Sequence, residues 1–313
     1  MTLHSWQALG RVCVMGLAAV AVATETSVIA AQTASVKDTL AFTPKQQDVE
    51  YETPKPDEFA KCKVEAERKG KSSGWVVLGP AGQILRKIID TDGDGTLDQW
   101  RYYNQGVEVY RDIDSNNNGK IDQSRWVNLG GSRWGIDQNE DGKIDSWKTL
   151  SASEASKEAI RAMVAGDDAS LQLVMVNAED LKTIGLNPQL ATKLLESAAD
   201  AAKKSRAIVS KSRALAQSKW VRFDALMPST IPSDDEKATA DLQAYENAMA
   251  IVESQGKFIG VQIGEIVRIG EVWKLTQVPQ PIEGDGIHVS AGGTLIQPLL
   301  AVAGTGPNPG TSP

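Results

Sequence analysis

The sequence has few residues suited to covalent or redox catalysis, with two cysteines and two histidines in 313 residues. Cys13 and His4 lie in an N-terminal segment that is predicted to be removed, which leaves Cys62 and His288. A single cysteine cannot form the C-x-x-C pair of a dithiol redox cycle. His288 lies in a glycine-rich stretch typical of an exposed loop. Because no Ser/His/Asp set, zinc cluster or phosphate-binding glycine loop is present, the sequence predicts no catalytic residue.

Basic residues are also too few for a nucleic-acid-binding surface. Lysine and arginine number 33 against 40 aspartates and glutamates, which gives a net charge of −7. Neutralising phosphates requires a basic surface, so no nucleic-acid partner is predicted. A hydrophobic content of 41% over 313 residues predicts a globular protein with about two domains.

No apolar run is long enough to span a bilayer. The longest near the N-terminus, residues 12–23, follows Arg11 and has the length of a signal-peptide core. The sequence therefore predicts a signal peptide over residues 1–31, with cleavage after Ala23 or after Ala31. We expect an exported protein, periplasmic, at the cell surface or secreted, without a transmembrane span once the signal is removed.

One acidic pattern, D-x-[DN]-x-[DN]-G-x-[LI]-D, occurs three times and begins at residues 90, 114 and 137. Oxygens at positions 1, 3, 5, 7 and 9 suit a hard cation that takes about six to eight oxygen ligands, and glycine at position 6 permits the sharp bend. The sequence predicts three calcium (Ca2+) loops, of which the middle one binds more weakly because it has two carboxylates instead of four. The predicted ligands are Asp90, Asp92, Asp94, Thr96, Asp98, Asp114, Asn116, Asn118, Lys120, Asp122, Asp137, Asn139, Asp141, Lys143 and Asp145.

These loops are not helix-loop-helix calcium hands. Such hands need a bidentate glutamate at position 12, where this chain has Arg101, Arg125 and Lys148. Strand-like segments follow the first two loops, so the loops are predicted to join β-strands. They resemble the DxDxDGxxD loops found between strands in several extracellular proteins. The alternative interpretation is that they are polar hairpin turns without a cation.

The sequence predicts an α+β protein in several segments. A disordered spacer is predicted over residues 32–58, and a calcium-loop β-hairpin repeat over 59–150. An α+β domain is predicted over 151–281, with a long helix at 188–214 followed by four strands, and a Pro/Gly-rich tail or linker over 282–313. Four tryptophans at repeat spacing are predicted to stack one unit on the next: Trp75, Trp100, Trp126 and Trp147.

Two resemblances add to this interpretation. Residues 264–275 resemble the closing hairpin of nuclear-transport-factor-2-like cone domains, which implies an enclosed pocket. The arrangement of leader, acidic repeats, helices and residues 261–281 resembles the N-terminal, non-thioredoxin region of large exported bacterial thioredoxin-like (redoxin-type) thiol-disulfide oxidoreductases. That resemblance implies a redox context in which a thioredoxin-like domain follows the linker, and it carries over no catalytic residue.

The predicted function is an exported, calcium-binding, non-catalytic accessory or recognition region associated with a thioredoxin-like module or another exported protein. One alternative is that the chain is part of a thiol-disulfide oxidoreductase whose catalytic domain is missing here. Another is a purely structural cell-surface module. Cys62 has two interpretations, a half-buried strand residue or a thiol that forms a mixed disulfide with a partner.

Overall fold

The computed structural model describes residues 34–234, 237–282 and 293–296. The predicted signal peptide, His288 and most of the Pro/Gly-rich tail lie outside these residues. The chain divides into two compact units, residues 1–150 and 151–313. Antiparallel sheets and several helices make up the structure, so the predicted α+β class is confirmed. In the described part of the chain, no helix is both long enough and apolar enough to cross a membrane.

Eight strands form one antiparallel sheet in the first unit, and each strand pairs with its neighbours in the chain. The link between the fourth and fifth strands is a two-residue turn in which Gln105 and Gly106 have φ of 49° and 78°. Positive φ at both positions gives a turn whose twist matches that of paired strands. The strands are β1 (Lys63–Lys69), β2 (Ser72–Leu78), β3 (Ile84–Asp90), β4 (Gln99–Asn104), β5 (Val107–Ile113), β6 (Gln123–Trp126), β7 (Trp134–Ile136) and β8 (Ser146–Thr149).

Residues 34–58 pack against this sheet, so the prediction of a disordered spacer over 32–58 is wrong for the part that the structure describes. Helix α1 (Val36–Leu40) is capped by the Ser35 side chain, and a 3-10 helix spans Pro56–Lys61. Leu40 is buried in a cluster with Cys62, Val77 and Leu85. The segment is polar in composition, but a few apolar side chains are enough to order it once a sheet is present to receive them.

A row of aromatic rings runs across the strands of the first unit. Of the four tryptophans predicted to stack, Trp126 and Trp147 are neighbours in this row, whereas Trp75 and Trp100 pair with Ile88 on either side of β3. Trp100 packs against the cluster that contains the row. The predicted stacking is therefore found only in part, since tyrosines occupy the first half of the row. The row consists of Tyr51, Tyr102, Tyr110, Trp126 and Trp147, with successive ring centroids 5.5, 5.8, 4.9 and 6.3 Å apart.

The second unit begins with helices whose ends follow from capping residues. Ser151 and Glu154 form a capping box at the start of the first, and Gly166 ends it with φ of 67°. The predicted long helix at 188–214 is wrong, because Asp200 has φ of 55° and interrupts it. The helices are α2 (Ala152–Ala165), α3 (Asp168–Val174), α4 (Ala178–Thr183), α5 (Pro188–Ala198), α6 (Ala201–Lys211) and α7 (Arg213–Ala216).

A six-stranded antiparallel sheet follows these helices. Its two longest strands pair over most of their length, and helix α2 packs against the sheet. The pairing shifts twice. Glu246 and Asn247 lie opposite Glu265 alone, which is a β-bulge, and Ile263 is an extra residue between the Ala248–Gly264 and Met249–Gln262 pairs. The strands are β9 (Lys219–Asp224), β10 (Ser229–Ile231), β11 (Leu242–Ser254), β12 (Lys257–Ile269), β13 (Val272–Leu275) and β14 (Gln280–Pro281).

Candidate metal centre

The three acidic loops, residues 90–98, 114–122 and 137–145, connect β3 to β4, β5 to β6 and β7 to β8. Successive strands of an antiparallel sheet run in opposite directions, so alternate connections lie at the same edge. The loops therefore lie side by side. Backbone hydrogen bonds link them in sequence, because the Asp114 N–H donates to the Asp98 carbonyl at 2.9 Å and the Asp137 N–H donates to the Asp122 carbonyl at 2.8 Å.

Each loop folds around the side chain at its first position. The glycine at position 6 has φ of 89°, 84° and 91° in the three loops and donates its N–H to the first aspartate. Side chains at positions 3 and 5 each accept from the N–H two residues further on. Thr96, Lys120 and Lys143 are thus held at position 7 by their own N–H groups. The side chains at positions 1, 3 and 5 are therefore held by backbone N–H groups of their own loop.

The aspartate at position 9 closes each loop. Asp98, Asp122 and Asp145 accept from the N–H at position 2, at 2.8, 3.0 and 2.9 Å respectively. The N–H groups of these same aspartates donate to the carbonyl that precedes each loop, at 3.0, 3.0 and 2.7 Å. The residue at position 9 is therefore returned to the start of the loop, and in the first loop its carboxylate lies close to that of the first aspartate.

The first loop brings three carboxylates closest together. One oxygen from each of Asp90, Asp92 and Asp98 lies within 4.8 Å of the others, and within the described ranges no other group of three or more acids, cysteines or histidines meets this distance. Asp90 and Asp98 are buried, whereas Asp92 is exposed. Oδ1 of Asp98 is buried and has no hydrogen-bond partner among the described residues. This arrangement could hold a metal ion.

Side chains at position 4 join neighbouring loops, and the sequence analysis missed them. Gly93, Asn117 and Glu140 all occupy this position with positive φ. The Asn117 amide donates to Asp92 at 2.9 Å and to Asp94 at 3.2 Å. Each later loop thus reaches the ligand set of the loop before it. A polar residue at position 4 is the one sequence signal of this contact.

Glu140 makes the corresponding contact from the third loop to the middle one. It accepts hydrogen bonds from the amides of Asn116 and Asn118, and Lys120 lies 3.2 Å from it. The hydrogen bond from Asn116, followed by that from Asn118, lowers the pKa of Glu140. The middle loop therefore has a third carboxylate beside it, which its own nine residues do not supply.

Burial and hydrogen bonding shift two further carboxylates in opposite directions. The hydrogen bond from Asn117, the largest cause, lowers the pKa of Asp92, which stays charged. Burial raises the pKa of Asp112, which lies two residues before the start of the middle loop, to about 7. Asp112 is held by the Tyr110 hydroxyl and by the Lys45 N–H at 2.9 Å, so it ties residues 34–58 to the loop edge.

Cys62 is not positioned to react. It is buried just before β1, and its thiol lies 3.6 Å from the Glu58 carbonyl. Burial, and then the nearby Glu58 charge, raises the pKa of the thiol. Because the thiolate is the nucleophile, a buried thiol with a raised pKa is a poor partner in disulfide exchange.

No protein-family model matches the chain, and no curated protein matches it significantly.

Proposed function

We propose that this is an exported, non-catalytic protein whose first unit binds calcium through its three acidic loops. The observation that carries the proposal is the buried Oδ1 of Asp98, which has no donor among the described residues and lies in the group with Asp90 and Asp92. An unpaired carboxylate oxygen in a buried position is costly, and a bound cation removes that cost. Oxygen is the only ligand type in all three loops, and calcium prefers such a set.

The three loops are proposed to act as a linked array. Asn117 contacts Asp92 and Asp94, and Glu140 adds a carboxylate beside the middle loop. An ion in one loop fixes side chains that the neighbouring loop also contacts. Binding to such loops contributes directly to the folding free energy of the sheet edge, because the sites do not exist in the unfolded chain.

The rest of the proposal concerns what this unit serves. We propose that its strand–turn–strand–loop segments form a β-hairpin repeat, and that the second unit is a nuclear-transport-factor-2-like cone. Helices followed by an antiparallel sheet support the latter assignment. The proposed role is to hold or present an exported partner, with a thioredoxin-like module suggested by the sequence resemblance. The burial of Cys62 argues against a mixed disulfide as the means of attachment.

Calorimetric titration of the calcium-free protein tests the metal assignment. We expect saturable calcium binding that Asp98→Asn weakens by about tenfold or more, which corresponds to about 1.4 kcal/mol. Asp57→Asn is the matched control, because Asp57 is an exposed aspartate in the same unit and outside the loops. Equal affinity in the two variants, or no binding by the folded wild type, contradicts the proposal.

A further inference from the structure

The second unit contains a polar cavity of about 100 Å³. Strands β11 and β12 and the segment after β13 form most of its wall, and Ser197 of α5 and the Gly293–Thr294 segment complete it. Two carboxylates, Glu246 and Glu265, line this cavity, and its described lining includes no lysine, arginine or histidine. A site of this charge excludes anions and favours a cation.

The backbone is shaped to bring the two carboxylates together. Glu246 lies on the two-residue side of the β-bulge, opposite Glu265. Bulges redirect side chains and are common beside binding sites. Gly264, next to Glu265, has φ of 82°, and the Nε2 atom of Gln277 lies 2.1 Å from where a Cβ would be. The positive φ favours glycine at this position, and a larger residue would also displace the Gln277 side chain from the cavity lining.

Glu265 has one oxygen satisfied and one free of described partners. It is 3% exposed, and its Oε1 accepts from the Leu295 N–H at 2.9 Å. Its Oε2 is buried and has no hydrogen-bond partner in residues 34–234, 237–282 and 293–296. Burial, followed by the charge of Glu246, raises the pKa of Glu265 to about 7. Buried polar atoms in folded proteins almost always have a partner, so Oε2 is positioned for a donor that the described chain does not supply.

We propose that this cavity binds the ammonium group of a small primary amine between Glu265 and Glu246. An ammonium group has three N–H donors and no acceptor. Oε2 of Glu265, the Glu246 carboxylate and the side-chain oxygen of Gln262 are three acceptors that residues of the cavity lining offer. A divalent metal ion fits less well, because it takes about six or more oxygens, whereas the two carboxylates supply at most four and one of these already accepts from the Leu295 N–H.

Nuclear magnetic resonance of the full chain tests the proposal, with the side-chain amides of Gln262 and Gln277 as reporters inside the cavity. Ethylammonium chloride is the probe, and tetramethylammonium chloride is the control of equal charge without N–H donors. We expect saturable shifts with ethylammonium at about pH 8 and none with tetramethylammonium. Binding weakens about tenfold or more at about pH 5.5, where Glu265 is protonated.

Two variants locate the effect. Glu265→Gln removes the charge and is expected to abolish the ethylammonium shifts. Glu271→Gln, at an exposed acid in the turn between β12 and β13, should leave them unchanged. If Glu265→Gln does not fold, the pH dependence of the wild type decides. The proposal is overturned if ethylammonium leaves the amide signals of the wild type unchanged, if tetramethylammonium binds equally well, or if only calcium chloride shifts them.

Discussion

The first unit buries charged and aromatic side chains, whereas the second buries mainly aliphatic ones. Hydrogen bonds and the proposed bound cations must therefore contribute to the stability of the first unit together with apolar contact. Apolar contact dominates in the second unit, so the two units should respond to different perturbations. Buried charged groups in the first unit include Arg86, Asp90, Asp98, Asp112, Asp114 and Asp137, and buried aliphatic groups in the second include Ile160, Leu171, Leu181, Leu194, Val261 and Ile263.

The largest effect is expected when a buried leucine of the second unit is shortened, which leaves an empty space in its apolar core. Leu171 on α3 is 1% exposed, and Leu171→Ala should lower the free energy of unfolding of that unit by about 3 kcal/mol. Hydrogen exchange, resolved by segment, should show the loss in residues 151–282 and leave residues 63–149 unchanged. Leu226→Ala is the control, because Leu226 is 93% exposed. An equal loss of protection in both units would show that they do not differ in the way described.

Chelation should produce the reverse pattern. Removing calcium that was present at a hundredfold excess over its dissociation constant costs about 2.7 kcal/mol of stability in the state that binds it. The melting temperature of the first unit should fall. The intensity of its near-ultraviolet circular dichroism should fall as well, because its aromatic row crosses the strands that carry the loops. The unfolding of Leu171→Ala in the second unit should be independent of calcium. A calcium-dependent second unit, or an insensitive first one, breaks the comparison.

Arg86→Met tests buried polar contact in the first unit. The Arg86 guanidinium is 1% exposed, lies 4.4 Å from the Tyr51 ring centroid, and donates to the carbonyl of Glu52 at 2.8 Å and the Thr53 hydroxyl at 2.9 Å. Its loss leaves these acceptors unpaired, and we expect a cost of about 2 kcal/mol. Urea denaturation measures it. Arg68→Met, at an exposed arginine, should change stability little, and similar costs for the two variants would contradict the assignment.

The pH dependence of the second unit should follow Glu265. Because its pKa in the folded state is about 7 and its ordinary value is 4.5, the folded state binds this proton more tightly than the unfolded state. The stabilisation is complete below about pH 4.5 and is lost as pH rises through about 7. Denaturation in amine-free buffer measures this slope. Glu265→Gln should flatten it, and an unchanged slope in that variant would assign the titration elsewhere.

The smallest effect is expected within the first unit. Glu140→Gln removes the carboxylate that the third loop places beside the middle one. Calcium affinity of the middle loop should fall by about fivefold, close to 1 kcal/mol. Calorimetry of a variant with the first loop disabled by Asp98→Asn would isolate this step. Glu50→Gln, at an exposed glutamate outside the loops, serves as the control, and an equal effect there would remove Glu140 from the site.

Local patterns predicted much of the fold. Alternating residues and Asn/Gly turns predicted the strands of the first sheet, and the Ser151 and Gly166 caps predicted helix α2. These features depend on neighbours in sequence, which a single chain displays. The backbone conformation of each acidic loop is local in the same way, because the hydrogen bonds within a loop join residues no more than seven apart.

What the sequence did not reveal depends on contacts between distant segments. Residues 34–58 look solvated until a sheet is present to receive Leu40 and Tyr51. Asp200 has a left-handed backbone conformation and interrupts the predicted helix, but aspartate as a residue type does not reliably end a helix. Glu140 reaches the middle loop only because neighbouring loops share a sheet edge. The β-bulge at Glu246 and Asn247 likewise could not be predicted, because it depends on the register between β11 and β12.

The packed N-terminal segment has a practical consequence for anyone who shortens this protein. A boundary chosen at Phe59, where regular sequence texture begins, would strip the backbone N–H of Lys45 from buried Asp112 and the Glu52 carbonyl from buried Arg86. In such a shortened protein, Asp112 and Arg86 would each lose a hydrogen-bond partner that residues 34–58 supply. A fragment intended for expression should therefore begin before Ser35, so that it includes the segment that packs against the first sheet.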